Sequence, residues 1–492
     1  MRRGRTSLSH PLQIAEIRPA LEPNAAYGRI GVTFCPGKKQ LNAVSGTWDR
    51  DLGIDLDAIV AWGAAAVVTL IEVHELESLQ VAQLGAEVRA RHIAWYHLPI
   101  RDVSVPDAAF EAAWESAGEH LRRLLRCGFA VLVHCKGGLG RAGTIAARLL
   151  AELGMAPPEA LKAVRRVRPG AIETRAQEIH VAALKPVLPT LPLTTPAAQR
   201  DRALGALLGL AVGDALGTTL EFKPRGSFTP LTDMIGGGPF RLAPGQWTDD
   251  TAMALALADS LIQCGKLDEA DLMTRFTAWH ERGDYSCTGR CFDIGLTTRA
   301  ALLRWRETGN PQAGSSDPRS AGNGSLMRLA PVALRYWRDP SGLRDAAQRQ
   351  SVTTHAASEA VDACAAYGEL LGEVIAGRPL HQALMPREGP WRGAVAPIMA
   401  GSWRGKPRGA IRSSGYVAHS LEAALWAVGQ ARDFSEAVLL AANLGEDADT
   451  TAAIAGQLAG AAWGASAIPP AWLERLAWCD RIRMLGEQLF DA

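Results

Sequence analysis

No paired-cysteine framework and no surplus of charge of either sign occur in these 492 residues. The 52 basic and 51 acidic residues leave a formal charge of +1, which removes any electrostatic case for nucleic-acid or membrane binding. Eight cysteines (Cys35, Cys127, Cys135, Cys264, Cys287, Cys291, Cys364, Cys479) lack CxxC pairing and the density of a disulfide-stapled secreted scaffold. The amino terminus opens Met1-Arg2-Arg3-Gly4-Arg5 but has no apolar core of the kind a secretory signal requires, so a reducing cytoplasm is the expected compartment. The most apolar stretch, 452–468, contains Gln457 and falls short of the roughly 20 residues a spanning helix needs. It reads as a buried helix.

What is present divides at a run of prolines. Pro186, Pro189, Pro192 and Pro196 block helix and favour an extended linker over residues 185–200. Upstream, β-branched apolar runs at 64–71 and 130–133 predict buried strands, and 107–127 has helical periodicity, so residues 28–184 are expected to form an α/β domain. Residues before Gly28 show weak periodicity and suggest partial disorder. Downstream, Ala- and Leu-rich segments at 201–216, 252–263, 356–376 and 420–429 predict an all-α domain over 201–492. In the first of these helices Gly205, Gly209, Gly213 and Gly217 recur every fourth residue. A face without side chains implies that another helix crosses there at close range.

The upstream domain carries His134-Cys135-Lys136-Gly137-Gly138-Leu139-Gly140-Arg141 between a predicted strand and a predicted helix from Ala142 to Leu153. A helix start offers unpaired amides and a positive dipole end, and the glycines let the backbone curl around an anion. Lys136, Gly137, Gly138, Leu139 and Gly140 are therefore the candidate phosphate cradle. The same field and the nearby Arg141 favour a thiolate at Cys135, and a guanidinium is suited to grip two phosphoryl oxygens. The competing reading is a buried core cysteine beside a surface arginine.

These residues resemble the dual-specificity branch of the cysteine-based protein phosphatases, in particular the kinase-associated phosphatase group, over residues 28–184. The resemblance implies a phosphocysteine mechanism without cofactor, with Cys135 as nucleophile, Arg141 as phosphate ligand and Asp102, in His97-Leu98-Pro99-Ile100-Arg101-Asp102, as general acid. Asp107 is a second candidate for that role, and Gln177 a candidate for placing the hydrolytic water. One departure stands out: Ala142 occupies the place of the usual Ser or Thr, which predicts slower turnover, with Thr144 the hydroxyl nearest to compensate.

In the downstream domain Thr248-Asp249-Asp250 and Asp447-Ala448-Asp449-Thr450 each precede a helix. Taken singly, each is an ordinary helix-cap pattern. If they converge, four carboxylates repel strongly unless cations neutralise them, and two divalent ions match that charge. An all-oxygen set of Thr248, Asp249, Asp250, Asp447, Asp449 and Thr450 favours magnesium or manganese over zinc.

With Gly213-Asp214-Ala215-Leu216-Gly217, Glu221-Phe222 and Gly322-Asn323-Gly324-Ser325-Leu326-Met327-Arg328, these motifs resemble the ADP-ribosylglycohydrolase family from about residue 202 to 489. The resemblance implies an all-α fold, a dinuclear Mg or Mn centre and hydrolysis at the anomeric carbon of ADP-ribose attached to a protein or a small molecule. It gives Glu221 a catalytic role and makes Gly322, Asn323, Gly324, Ser325, His355 and Tyr416 candidate ADP-ribose contacts. Glu446 replaces the second glycine of the usual motif and is expected to face solvent. The expected function is a two-site hydrolase, of phosphomonoesters and of ADP-ribosyl bonds. The alternative is a regulatory protein with an idle phosphate loop and an ADP-ribose-reading domain.

Overall fold

The computed structural model describes residues 4–19, 21, 26–43 and 46–492. Its contacts divide the chain into two compact units, Met1–Thr190 with Arg404–Ala410, and Leu191–Trp403 with Ile411–Ala492.

The first unit is built on a five-stranded sheet in the order β1-β2-β7-β5-β6. β2 (Ile30–Phe34), β5 (Ala64–Thr69), β6 (Ala94–His97) and β7 (Ala130–Cys135) run parallel, and β1 (Ala15–Ile17) pairs antiparallel with β2. β3 (Lys39–Ala43) and β4 (Gly46–Asp49) form a separate hairpin. The order in β1 differs from the disorder suggested before Gly28. A three-residue edge strand is too short to show periodicity, and its pairing with β2 is settled only in three dimensions. The helices are α1 (Leu52–Trp62), α2 (Val73–Ser78), α3 (Leu84–Ala90), α4 (Ala108–Arg126), α5 (Gly140–Glu152), α6 (Pro157–Val167) and α7 (Arg175–Ala182). Every residue of β7 is buried, and Cys135 ends it, so the loop into α5 lies beyond the carboxyl end of the middle strand. Parallel sheets bind ligands at that edge.

The second unit contains α8 (Pro196–Gly217), α9 (Asp249–Cys264), α10 (Glu269–Arg282), α11 (Leu296–Thr308), α12 (Ala330–Tyr336), α13 (Pro340–Val352), α14 (Ser358–Ala376), the short α15 (Leu380–Ala383) and α16 (Val395–Met399), then α17 (Val417–Gln430), α18 (Phe434–Ala442), α19 (Ala448–Trp463), α20 (Pro470–Arg475) and α21 (Cys479–Asp491). α8 takes in the last residues of the proline-rich segment, because Pro196 sits at its first turn, where no amide is needed, and Thr195 caps it. α8 is long and apolar enough to cross a membrane, but the window concerned is wholly buried in protein.

The four spaced glycines of α8 face α19. A Cβ at Gly205, Gly209, Gly213 or Gly217 would overlap the backbone of Gly460, Gly456, Ala452 and Ala448 respectively, and Gly456 and Gly460 return the same constraint. Two backbones thus meet along four turns, and the carboxyl end of α8 is pressed onto the amino end of α19. Gly209→Ala is expected to lower stability by about 1–3 kcal/mol through overpacking, read as a fall in thermal midpoint. An unchanged midpoint would show that the crossing yields.

Candidate functional sites

In the first unit the candidate nucleophile Cys135 and the candidate cradle lie on one strand-turn-helix, and the fold supplies their partners. The Gly138 amide donates to Cys135 Sγ at 3.2 Å, which seats the sulfur inside the loop. Gly138 has φ 70°, and a Cβ there would collide with the Thr33–Phe34 backbone of β2. Arg168 clamps the loop from outside, donating to the Gly138 carbonyl at 3.0 Å and the Gly137 carbonyl at 3.1 Å. Arg141 is buried and grips Glu75 through both terminal nitrogens, at 2.6 and 3.0 Å, while its Nη2 lies 3.0 Å from Asp102 Oδ1. Burial alone would raise the Glu75 carboxyl, but the hydrogen bonds from Arg141 and the Glu72 backbone outweigh it and hold Glu75 below its usual range. Glu75 was not legible in the sequence, since nothing sets it apart from Glu72 and Glu77 in and beside a six-residue helix.

Asp102 is largely exposed beside Arg141, on a turn where Val103 adopts φ 59°. Asp107 is instead the N-cap of α4, accepting the Phe110 amide at 2.9 Å, and is thereby committed to the helix. Gln177 differs from its expected role as well. Its Oε1 accepts the Glu173 and Thr174 amides and its Nε2 donates to the Ser104 carbonyl, so it ties the Asp102 turn to α7. Thr144 donates to the Gly140 carbonyl at 2.8 Å, a bond within α5 that occupies the hydroxyl. Lys136 lines an open hollow of about 700 Å³ beside the loop, with Lys39, Gln40, Trp48, Ser78 and Gln80.

In the second unit the two acidic motifs meet because α9 and α19 both start against the end of α8. Oxygens of Asp214, Asp250 and Asp449 lie within 4.8 Å of one another, as do those of Glu221, Asp447 and Asp449. The helix-cap reading fails for both motifs. Neither Thr248 nor Asp447 makes a side-chain cap hydrogen bond. Asp214 does that work for α9, accepting the amides of Thr248 and Thr251 at 2.9 and 3.0 Å and both hydroxyls at 2.8 and 2.6 Å. Glu221 does it for α19, accepting the amides of Ala448 and Asp449 at 2.8 and 3.4 Å. Thr248 Oγ1 lies 3.3 Å from Asp250 Oδ2 and 3.4 Å from Asp449 Oδ2, and Thr450 Oγ1 lies 3.4 Å from Asp250 Oδ2.

Burial, then the neighbouring carboxylates, pushes Asp249 and Asp250 well above the usual range and raises Asp214 and Asp447 to about 7. Glu221 and Asp293 are driven up by the same two causes, Asp293 to about 11. Asp250 Oδ1 is buried without a hydrogen-bond partner. An all-oxygen pocket with excess negative charge and an orphaned oxygen fits hard divalent cations. Asp214 had one legible signal, an acid inside the otherwise apolar stretch 203–217 of α8. Asp293, in a loop between Phe292 and Gly295, had none.

Of the expected ADP-ribose contacts, Asn323 touches this centre, its Nδ2 donating to Asp447 Oδ2 at 2.6 Å, and Gly322 and Tyr416 pair with each other in an isolated bridge. Tyr416 donates its hydroxyl to Glu359 at 2.6 Å and sets its ring edge-on to His419. His355 instead lies buried under the Gly322–Gly324 turn, where a Cβ on Gly324 would press its ring, and burial drops its pKa to about 3. Ser325 is buried too, sharing a 2.8 Å hydrogen bond with Ser351. The Gly322 and Asn323 amides already donate to the Ser320 and Gly415 carbonyls, which leaves the turn fewer donors for a diphosphate than the sequence suggested. Glu446 is exposed.

Fold and site together define a helical hydrolase domain with a buried acidic centre, joined to an α/β domain with a phosphatase-type loop. Residues 195–492 match the family model of ADP-ribosylglycohydrolase, and residues 48–181 match that of the Swiss Army Knife protein, DSP-PTPase phosphatase domain. The chain belongs to the ADP-ribosylglycohydrolase family. It is 49% identical over 297 residues, 60% of this chain and 80% of the relative, to ADP-ribosylarginine hydrolase Tri1 of Pseudomonas putida (strain GB-1). It is 36% identical over 291 residues, 56% of this chain and 90% of the relative, to ADP-ribosyl-[dinitrogen reductase] glycohydrolase of Rhodospirillum rubrum. Among solved structures, an ADP-ribosylglycohydrolase-related protein complex aligns at 43% identity and TM-score 0.53, covering 60% of this chain and 98% of that one. The chain is an ADP-ribosyl hydrolase with a phosphatase-family domain.

Proposed function

We propose that the second unit hydrolyses the N-glycosidic bond of ADP-ribosylarginine with two divalent cations, and that the first unit hydrolyses phosphomonoesters through a phosphocysteine. The metal-dependent reading is carried by the convergence of Asp214, Glu221, Asp250, Asp447 and Asp449 on one buried pocket. The arginine acceptor rests on the relatives of Pseudomonas putida and Serratia proteamaculans, 49% and 46% identical, both described as ADP-ribosylarginine hydrolases.

Thr248, Asp249, Asp250, Asp447, Asp449 and Thr450 would hold magnesium or manganese, which supplies orientation of the ribose hydroxyls and activation of a water. Asp214 and Glu221 hold the two helix starts in register, so the ligands stand ready before substrate arrives. Hydrolysis adds water at the anomeric carbon and releases guanidine with a proton. Glu221, at the edge of the group, is assigned to carry that proton. Asn323 orients Asp447, and Tyr416 is assigned to contact the nucleotide. The test is release of ADP-ribose from ADP-ribosylarginine and from a serine-linked counterpart, with Mg, with Mn and with chelator, followed by mass spectrometry. Metal-independent release would overturn the reading.

In the first unit Cys135 Sγ forms a bond to phosphorus as the ester oxygen leaves, and Asp102 gives that oxygen a proton. Water then attacks phosphorus, Asp102 takes its proton back and the thiolate departs. Arg141, held by Glu75, faces the phosphoryl oxygens. Ala142 is fully buried and offers the departing sulfur no hydroxyl, and Thr144 is bonded elsewhere. Ala142→Ser is therefore expected to raise the steady-state rate about 3- to 10-fold while leaving the burst of first turnover unchanged, roughly the worth of one ordinary hydrogen bond. A rise in the burst rate instead would place the residue in the first step.

A further inference from the structure

Phe222 combines two unfavourable features. Its ring is 65% exposed and its backbone sits at φ 62°, in the left-handed region where a bulky side chain is strained. Strain retained at such a position points to a use. Phe222 follows Glu221 directly, and its ring meets Phe240 edge to face with centroids 6.3 Å apart at 72°. Phe240 in turn tilts against Phe292 at 5.2 Å and 54°. Phe292 directly precedes Asp293. Glu221 adjoins Asp449 in the carboxylate group and accepts its amide, and Asp293 is raised, after burial, by the charges of Asp249 and Asp449 beside it. Three phenylalanines, two from the connection before α9 and one from that between α10 and α11, therefore form one surface flanking the acidic centre.

The surface is fixed. The Phe222 amide donates to the Glu446 carbonyl at 2.7 Å, and the Glu446 amide to the Lys223 carbonyl at 2.8 Å. Glu446, the residue that departs from the family's glycine, adds an exposed carboxylate, shared with Arg225, to the same rim.

We propose that Phe222, backed by Phe240 and Phe292, is the platform on which the guanidinium of the acceptor arginine lies while its bond to ribose is cleaved. This rests on the ADP-ribosylarginine reading above. A substituted guanidinium is planar, cationic and weakly hydrated, so it stacks on an aromatic face and leaves its nitrogens free for carboxylates. Adenine is the other flat group of the substrate, but the diphosphate separates it from the reacting carbon. A residue adjoining the carboxylates therefore meets the acceptor first. The acidic centre behind the platform, with the Glu446 carboxylate at its rim, also favours a cation. An exposed platform suits an arginine presented from a protein surface.

Phe222→Ala and Phe222→Tyr test this with two probes, ADP-ribosylarginine as substrate and free ADP-ribose as ligand without a guanidinium. Alanine is expected to raise KM for ADP-ribosylarginine about fivefold, equivalent to ~1 kcal/mol of stacking, with kcat changed less than about twofold. ADP-ribose affinity by calorimetry should stay within about twofold, and tyrosine should restore KM. A parallel loss of ADP-ribose affinity would make the platform an adenine site, and an unchanged KM would remove it altogether. Wild-type enzyme that leaves ADP-ribosylarginine intact but cleaves another ADP-ribosyl bond would overturn the acceptor reading, and the platform with it. Thermal melts of both variants exclude misfolding as the cause.

Discussion

Asp449→Ala is expected to lower ADP-ribose release by about 10³-fold or more, near 4 kcal/mol of transition-state stabilisation. Asp449 is the one carboxylate common to both triads of the acidic centre, with Asp214 and Asp250 on one side and with Glu221 and Asp447 on the other. Its loss leaves both proposed cation sites short of a ligand, which a single change at the periphery would not. The same substitution carries a second signature with opposite sign. In chelator, removing one of several buried carboxylates relieves repulsion, so the variant should melt no lower than wild type. With manganese at about 100 times its dissociation constant, wild type should gain ~2.7 kcal/mol per bound ion through ligand linkage and the variant much less. Differential scanning fluorimetry with and without manganese, beside the activity assay, reads both effects. Retained turnover, or an undiminished manganese shift, would sink the metal assignment of this centre.

Cys135→Ser should abolish phosphomonoester hydrolysis, by about 10³-fold or more, while leaving ADP-ribose release unchanged. A serine hydroxyl at the same place ionises far less readily than a thiol, so the nucleophile disappears although the loop remains. The Gly138 amide that meets the sulfur and the Arg168 clamp on the Gly137 and Gly138 carbonyls do not depend on it. Phosphate binding is expected to persist for that reason. Turnover of p-nitrophenyl phosphate, a stoichiometric burst in wild type and phosphate affinity by calorimetry form the test. Residual steady turnover in the serine variant would require a different nucleophile and would remove the phosphocysteine step.

How far each site could be read in advance follows from the range of its interactions. The phosphate loop is contiguous: strand, glycine turn and helix start all lie within 130–152, so local periodicity and turn chemistry reveal it. The glycine repeat of α8 is legible for the same reason, because a bare face on one helix already demands a close neighbour. Its partner, α19, lies more than two hundred residues away and had to be supplied by folding. Glu75 holding Arg141, and Asp214 capping α9, are single residues that acquire meaning only when another element reaches them. Asp107 and Gln177 show the converse, since polar residues well placed in sequence were taken by a helix cap and a loop tie.

The sequence by itself determined the residue types of both centres, the α/β and all-α character of the two halves, and the requirement for a close helix crossing in the second. These depend on local composition and on periods of two and about four residues, which a chain displays without folding. Only the tertiary structure decided which oxygens converge, that Asp214 and Glu221 cap the helices so that Thr248 and Asp447 are left to face the pocket, and that three phenylalanines gather at its rim. Burial, mutual repulsion among carboxylates and ring contacts are properties of distances between distant segments, and those distances come into being with the packed core.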